Sequence, residues 1–98
     1  DPGRMQYLYF KNGMPVGQVR VAAAGEDAEI SYSICAQKRG RGYAKEMLCL
    51  LREQISADFP NVRYLTAKVK TDNDASKKVF LSIGYQKIYE IYQMSWKG

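Results

Sequence analysis

Apolar and polar residues alternate with a period of two over the first third of the chain, and the period lengthens to three and four residues after position 42. Met5-Gln6-Tyr7-Leu8-Tyr9-Phe10 is β-prone and ends at Asn12-Gly13, a turn signal that Met14-Pro15 stretches beyond the shortest hairpin. Val16 to Ala22 predicts the returning strand, and the small, acidic, Gly-containing stretch from Ala23 to Ala28 predicts a second turn. In Glu29 to Ile34 a third strand is expected, with Ile30, Tyr32 and Ile34 on one face and Glu29, Ser31 and Ser33 on the other. After Gly40-Arg41-Gly42, the residues Ala44, Met47, Leu48, Leu51, Ile55 and Phe59 form one apolar stripe, which predicts a helix ending before Pro60-Asn61. Val62 to Val69 alternates again and predicts a strand. A helix of that length between two strands favours a right-handed crossover, so the strands around Ile30 and Leu65 should pair in parallel. Asn73 to Ser82 predicts a shorter helix, capped by Asp72 or Asn73 and closed by Gly84. Tyr85 to Trp96, aromatic and β-branched, predicts a closing antiparallel strand. The resulting order, β-β-β-α-β-α-β, defines an α+β domain: a compact mixed β-sheet with two helices.

Length restricts this pattern to one domain over residues 1–98, because 98 residues leave no room for two independent cores. The chain carries a formal net charge of +5, which favours anionic partners without choosing among nucleic acid, membrane and phosphorylated metabolite. No apolar run approaches a membrane helix, and Asp1-Pro2-Gly3-Arg4 is not followed by a signal-peptide stretch, so a cytoplasmic protein with no membrane partner is expected. Cys35 and Cys49 lie among apolar neighbours and are expected to be reduced core thiols. The absence of histidine removes Ser-His-Asp and Cys-His nucleophiles and the usual imidazole ligands of zinc. Asp72-Asn73-Asp74 lacks the glycine and distal glutamate of a calcium loop and fits a turn or helix cap, so no metal site is expected.

The chemistry concentrates in Gln37-Lys38-Arg39-Gly40-Arg41-Gly42-Tyr43-Ala44, between a strand and an amphipathic helix. Glycines let the backbone curl, unpaired amides at the helix start can converge on one point, and Lys38, Arg39, Arg41 and Lys45 raise the potential there. These are the requirements of a pyrophosphate cradle. The spacing lacks the third glycine and the acidic ribose residue of a dinucleotide fingerprint, and the Gly-Lys-Ser/Thr end of a nucleotide-triphosphate loop.

Gln37, Gly40, Gly42 and Ala44 match the Gln/Arg-x-x-Gly-x-Gly/Ala-x-Ala pattern of the GNAT family of N-acetyltransferases, which the chain resembles. Asn73, Ser76, Gly84 and Tyr85 match a second feature of that family, and together the two span Ile30 to Tyr85. The resemblance implies acetyl-CoA as donor, with its pyrophosphate on the Arg39 to Ala44 amides and its pantetheine arm between splayed parallel strands. It also implies that Ile34 or the Ser33 main chain orients the thioester carbonyl. The implied cofactor-binding set is Ile34, Gln37, Lys38, Arg39, Gly40, Arg41, Gly42, Tyr43, Ala44, Asn73 and Ser76. Family members usually begin with a strand and two helices before the meander. The resemblance therefore implies a C-terminal domain or fragment, whose acceptor site needs a missing parent-domain surface or a homodimer.

Acetyl transfer to an amine needs a neutral nucleophile, donors for the oxyanion and a proton for the departing thiolate. The family often places an acidic tyrosine on the second helix where this chain has Phe80, which has no proton to give. Tyr43, Tyr85, Tyr89 and solvent are alternative proton donors and Glu29 a candidate base through water, but each of these side chains reads more readily as a structural residue, so no catalytic residue is assigned. The expected function is transfer of acetyl from acetyl-CoA to a small-molecule amine such as an amino sugar. The alternatives are a noncatalytic CoA-binding or assembly domain and a basic nucleic-acid-binding module. The last is disfavoured because Tyr7, Tyr9, Tyr32 and Tyr64 are embedded in strand patterns while the basic residues gather at the helix start.

Overall fold

Three alternating segments form an antiparallel meander in the computed structural model, which describes residues 2–96: β1 (Arg4–Lys11), β2 (Met14–Ala24) and β3 (Asp27–Ile34). The apolar stripe becomes α1 (Tyr43–Asp58), the next alternating segment β4 (Tyr64–Ala67), and the segment after Asn73 α2 (Asp74–Ser82). The sheet order is β1-β2-β3-β4, with β4 parallel to β3 as the crossover argument requires.

Register sorts the side chains onto two faces. Tyr7↔Val19, Val19↔Tyr32 and Ala28↔Leu65 lie on the inner face, under the helices, whereas Gln6↔Arg20, Gln18↔Ser33 and Glu29↔Thr66 lie on the outer. Val19, Val21, Ala28 and Ile30 from the sheet are buried with Met47, Leu48, Leu51 and Ile55 of α1 and Phe80 of α2. The predicted stripe is thus the buried face of α1. Leu48 is fully enclosed, and truncating such a side chain to alanine costs about 2–5 kcal/mol. Tyr7 and Tyr9 tie β1 to opposite ends of α1, through Asp58 and Glu46 respectively.

The two helices start differently. At α2 the Asn73 side chain accepts from the Ser76 N–H at 3.1 Å, fulfilling the expected cap, and Gly84 at φ +102° closes the helix with the Tyr85 N–H on Phe80 O. At α1 the capping residue is Gly42 at φ +79°, and no side chain caps the helix.

Three expectations change. The turn between β2 and β3 contracts to Gly25-Glu26, because the small alanines on either side pair across it, Ala23 with Ala28 and Ala24 with Asp27. Cys35 and Cys49 are free and exposed rather than in the core. Cys35 follows the end of β3, and Cys49 falls between the rows that make the α1 stripe. The closing strand over Tyr85 to Trp96 is not formed, so the order found is β-β-β-α-β-α. Its apolar residues Ile88, Tyr89, Ile91, Tyr92, Met94 and Trp96 occupy both parities of an extended chain, and such a strand needs cover on both faces. The sheet has helices on one face. These six residues remain exposed, and the radius of gyration, 14.8 Å, exceeds the roughly 13 Å of a fully compact chain of this length.

Gly17, opposite Ile34, leaves no room for a side chain between β2 and the end of β3. A Cβ there would lie 2.6 Å from the Ser33 carbonyl oxygen and 2.8 Å from Ile34 Cδ1. Gly17→Ala therefore forces β2 away from the end of β3 and should destabilise the domain by about 1–3 kcal/mol. In thermal melts this appears as a fall in Tm of at least about 4 °C, and a Tm equal to wild type would show that the strands separate freely at this point.

Candidate cofactor-binding site

Two features of the backbone create the site: an opening between strands and an uncapped helix start beside it. Parallel pairing of β3 with β4 runs from Asp27↔Tyr64 to Ile30↔Ala67 and stops, while β3 stays paired to β2 as far as Gly17↔Ile34. Ser31 to Ile34 therefore border a gap on the side where β4 has parted from them. The expected strand over Val62 to Val69 shortens to four residues for the same reason.

The chain leaves β3 at Ile34, makes a single 3-10 turn over Ala36–Lys38 containing Gln37 and Lys38, and enters α1 through Gly40 and Gly42. Both glycines have left-handed φ, +76° and +79°, and a Cβ on either would meet nothing within 4 Å. The space above the helix start is open. Gly42 O accepts from Glu46 N, so the amides of Tyr43, Ala44 and Lys45 precede the first intrahelical bond of a 16-residue helix. Gln37, Arg39, Arg41 and Lys45 are exposed around this opening, and Lys38, Tyr43 and Ala44 are half-buried. The Arg39 Nε donates to Ile34 O at 3.2 Å, which folds its side chain back and ties the turn to the end of β3.

Asn73 and Ser76 sit across the gap, at the start of α2. Asn73 spends its side-chain oxygen on the helix cap, and the Ser76 hydroxyl lies 2.7 Å from the Tyr32 hydroxyl. Tyr32 also packs edge-on to Phe80, with ring centroids 5.8 Å apart. Sequence reasoning gave Tyr32 only a strand-face role, because residues 44 positions apart leave no local signal of their meeting.

A second group went unnoticed for the same reason. Glu46, in the first turn of α1, accepts from Lys11 Nζ at 2.5 Å and from the Tyr9 hydroxyl. The Lys11 ammonium neutralises a carboxylate that would otherwise oppose an anion at this helix end. The other candidate groups are occupied or remote. Glu29 faces outward, paired with Lys68 at 3.7 Å. Burial pushes the Tyr85 hydroxyl pKa up, its charged and polar neighbours are Arg52 and Cys49 of α1, and it has no hydrogen-bond partner among the described residues. Tyr89 lies in the exposed tail. On the outer face, Gln18, Arg20, Ser31 and Ser33 line a shallow depression of about 280 Å³, which also touches inward-facing Tyr32 between the two serines.

Comparison with known proteins identifies the family of this domain. The acetyltransferase (GNAT) domain model matches residues 3–86, and the chain belongs to that family. Among solved structures, Bacillus subtilis YycN superposes with a TM-score of 0.84 at 22% identity, over 96% of this chain and 62% of its own. A GNAT-family acetyltransferase from Streptococcus pneumoniae gives 0.73 at 21% identity, over 86% and 53%. The aminoglycoside N-acetyltransferase AAC(6')-Iy, solved in complex with CoA, gives 0.75 at 12% identity, over 98% and 78%. At these identities the likeness establishes a shared fold, and the chain spans less than two thirds of the first two structures. No curated protein matches the sequence.

The Glu46 contacts set a pH dependence. Hydrogen bonds from Lys11 and then Tyr9 hold its carboxyl below the ordinary value of 4.5. A depressed carboxylate contributes stability that is present above that ordinary value and is lost as pH falls through the depressed one. Glu46→Gln should therefore melt below wild type at neutral pH, and the two curves should converge as the solution is acidified below 4.5. Circular dichroism melts over that range check the convergence, and a constant difference would assign the Glu46 contribution to packing instead of charge.

Proposed function

We propose that this chain is the donor-binding domain of an acetyl-CoA-dependent N-acetyltransferase that acts on a small hydroxylated amine such as an amino sugar. The uncapped start of α1 beside the parted strands carries this reading. Its free amides and the surrounding Lys38, Arg41 and Lys45 suit a pyrophosphate, and the gap between β3 and β4 suits the extended pantetheine arm. The CoA complex of AAC(6')-Iy, which shares the fold, supports the choice of cofactor.

The cofactor would supply an activated acyl group, and this chain's residues would bind and orient it. Amides at Tyr43 to Lys45 hold the phosphates, and the edge of Ser31 to Ile34, apart from the Ile34 carbonyl that Arg39 holds, offers main-chain groups to the arm and to the thioester oxygen. The depression on the outer face supports the acceptor class. Gln18, Ser31 and Ser33 present amide and hydroxyl groups suited to a sugar, and Arg20 suits an anionic substituent.

A depression of this depth does not enclose an acceptor, and the outer face around it is bare, with Leu8 and Phe10 exposed on the same side. In this reading the acceptor pocket is completed by a further surface over the outer face, from the remainder of a longer protein or from a second copy.

Calorimetry with acetyl-CoA tests the donor half. Wild type should bind saturably, and Gly42→Val should weaken binding by at least about tenfold, since a β-branched residue resists the left-handed φ and places methyl groups over the amides. Circular dichroism should show the helices retained. A folded wild type with no affinity for CoA at roughly millimolar ligand would refute the proposed function. For the acceptor half, released CoA is followed with a panel of small amines, for this chain and for any longer parent, at several protein concentrations. Turnover that requires the parent, or that rises per molecule with concentration, is expected, whereas equal turnover by a demonstrated monomer would show that no further surface is needed.

A further inference from the structure

The hydroxyl pair of Tyr32 and Ser76 bridges the opening between β3 and α2, and its position relative to the gap is the basis of an assignment for the departing thiolate. Tyr32 is two residues past the last β3–β4 pair and points from the inner face toward α2. Its oxygen is 2.7 Å from Ser76 Oγ, and its ring is held edge-on by Phe80 at 69°. Ser76 is in turn fixed by the Asn73 cap, so three contacts set the phenol's place: the strand, the ring and the hydroxyl.

A pair of hydroxyls holds two protons and uses one in the bond between them. Whichever oxygen donates, one O–H proton remains for a third group. The pair lies at the first turn of a nine-residue helix, where the aligned peptide dipoles favour negative charge on a neighbouring sulfur. The other tyrosines considered for this role lack such a position: Tyr43 opens α1 at the proposed phosphate end of the site, beside Tyr9 and Lys11, Tyr85 is turned under α1, Tyr89 is in the exposed tail, and position 80 is a phenylalanine.

We infer that Tyr32 is the proton donor to the coenzyme's thiolate and that Ser76 positions and reprotonates it. The inference rests on the proposed function, which seats the thioester in the gap. The amine nitrogen attacks the thioester carbon, forming the C–N bond and placing negative charge on oxygen, and the nitrogen's proton passes to water. Collapse of the intermediate breaks the C–S bond and leaves the electron pair on sulfur. Sulfur then takes the Tyr32 proton, and the phenolate recovers one from solvent through the Ser76 hydroxyl. The products are the amide and the free thiol, with every proton balanced against water.

A donor aimed at sulfur stabilises bound thiolate, so the assignment can be read from a CoA complex without an acceptor. Wild type, Tyr32→Phe and Ser76→Ala are titrated with and without saturating CoA from about pH 6 to about pH 9, and thiolate absorbance is taken as the difference between the two curves. Tyr32→Phe keeps the ring against Phe80 and should lower the bound thiolate fraction at fixed pH by roughly tenfold, as expected for losing one hydrogen bond to an ionised group. Ser76→Ala should shift it in the same direction by less, and it carries the comparison if Tyr32→Phe does not fold. Affinity of Tyr32→Phe for desulfo-CoA, which lacks the sulfur, should be unchanged. A thiolate fraction within about twofold of wild type in a CoA-bound variant overturns the assignment, and so does a loss of desulfo-CoA affinity, which would make Tyr32 structural. Failure of wild type itself to bind CoA is a separate result and refutes the proposed function instead.

Discussion

Parallel pairing between β3 and β4 lasts for four residue pairs, and that brevity governs the rest of the domain. Four pairs are enough to fix β4 beside β3, and the crossover connection then lays α1 across the inner face. Where pairing ends at Ile30↔Ala67, β3 remains bound to β2 on its other side and stays extended. The sheet therefore opens without unravelling. Gly17 maintains the far side of that opening, since a side chain there would collide with the Ser33 carbonyl and Ile34. The gap is thus a consequence of one strong edge and one short one, and the helix starts of α1 and α2 both end up at its rim.

Sequence periodicity revealed those parts of the fold whose signals are local. The α1 stripe runs through Met47, Leu48, Leu51 and Ile55, and these are the residues that are buried. Asn73 caps α2 because an Asx side chain at that distance from an N–H needs no tertiary help. The tail failed for a non-local reason. Its aromatic and β-branched content gives it strand propensity, but propensity describes how a residue fits a half-buried pleat, and this segment is apolar on both faces. The cysteines failed through coarse neighbourhood. Cys49 sits between Leu48 and Leu50, yet Leu50 is itself exposed, and only the row containing Leu48 faces the sheet.

The candidate site divides along the same line. Gly40, Gly42 and the basic residues around them are contiguous, so a pattern of small and charged residues before an apolar stripe shows them. Tyr32 with Ser76, and Lys11 with Glu46, are contacts between elements, 44 and 35 residues apart. Tyr32 lies on the apolar face of an alternating strand, where a tyrosine has the same signature as any core aromatic. Its ring is in fact packed in that way, against Phe80, and only the hydroxyl distinguishes it.

The contrast between the two helix starts shows how little stability an open anion site requires. Asn73 gives α2 a side-chain cap, whereas α1 begins at a glycine with none. Replacing an Asx cap by glycine costs only a few tenths of a kcal/mol, against about 0.5–2 kcal/mol for alanine, because glycine leaves the first amides accessible to water. The amides of Tyr43 to Lys45 can therefore stay solvated in the unliganded domain at small cost and exchange water for phosphate oxygen on binding. Alanine at position 42 would be worse on both counts, strained at φ +79° and shielding the amides. Glycine is the residue that lets the same turn be stable when empty and open to an anion.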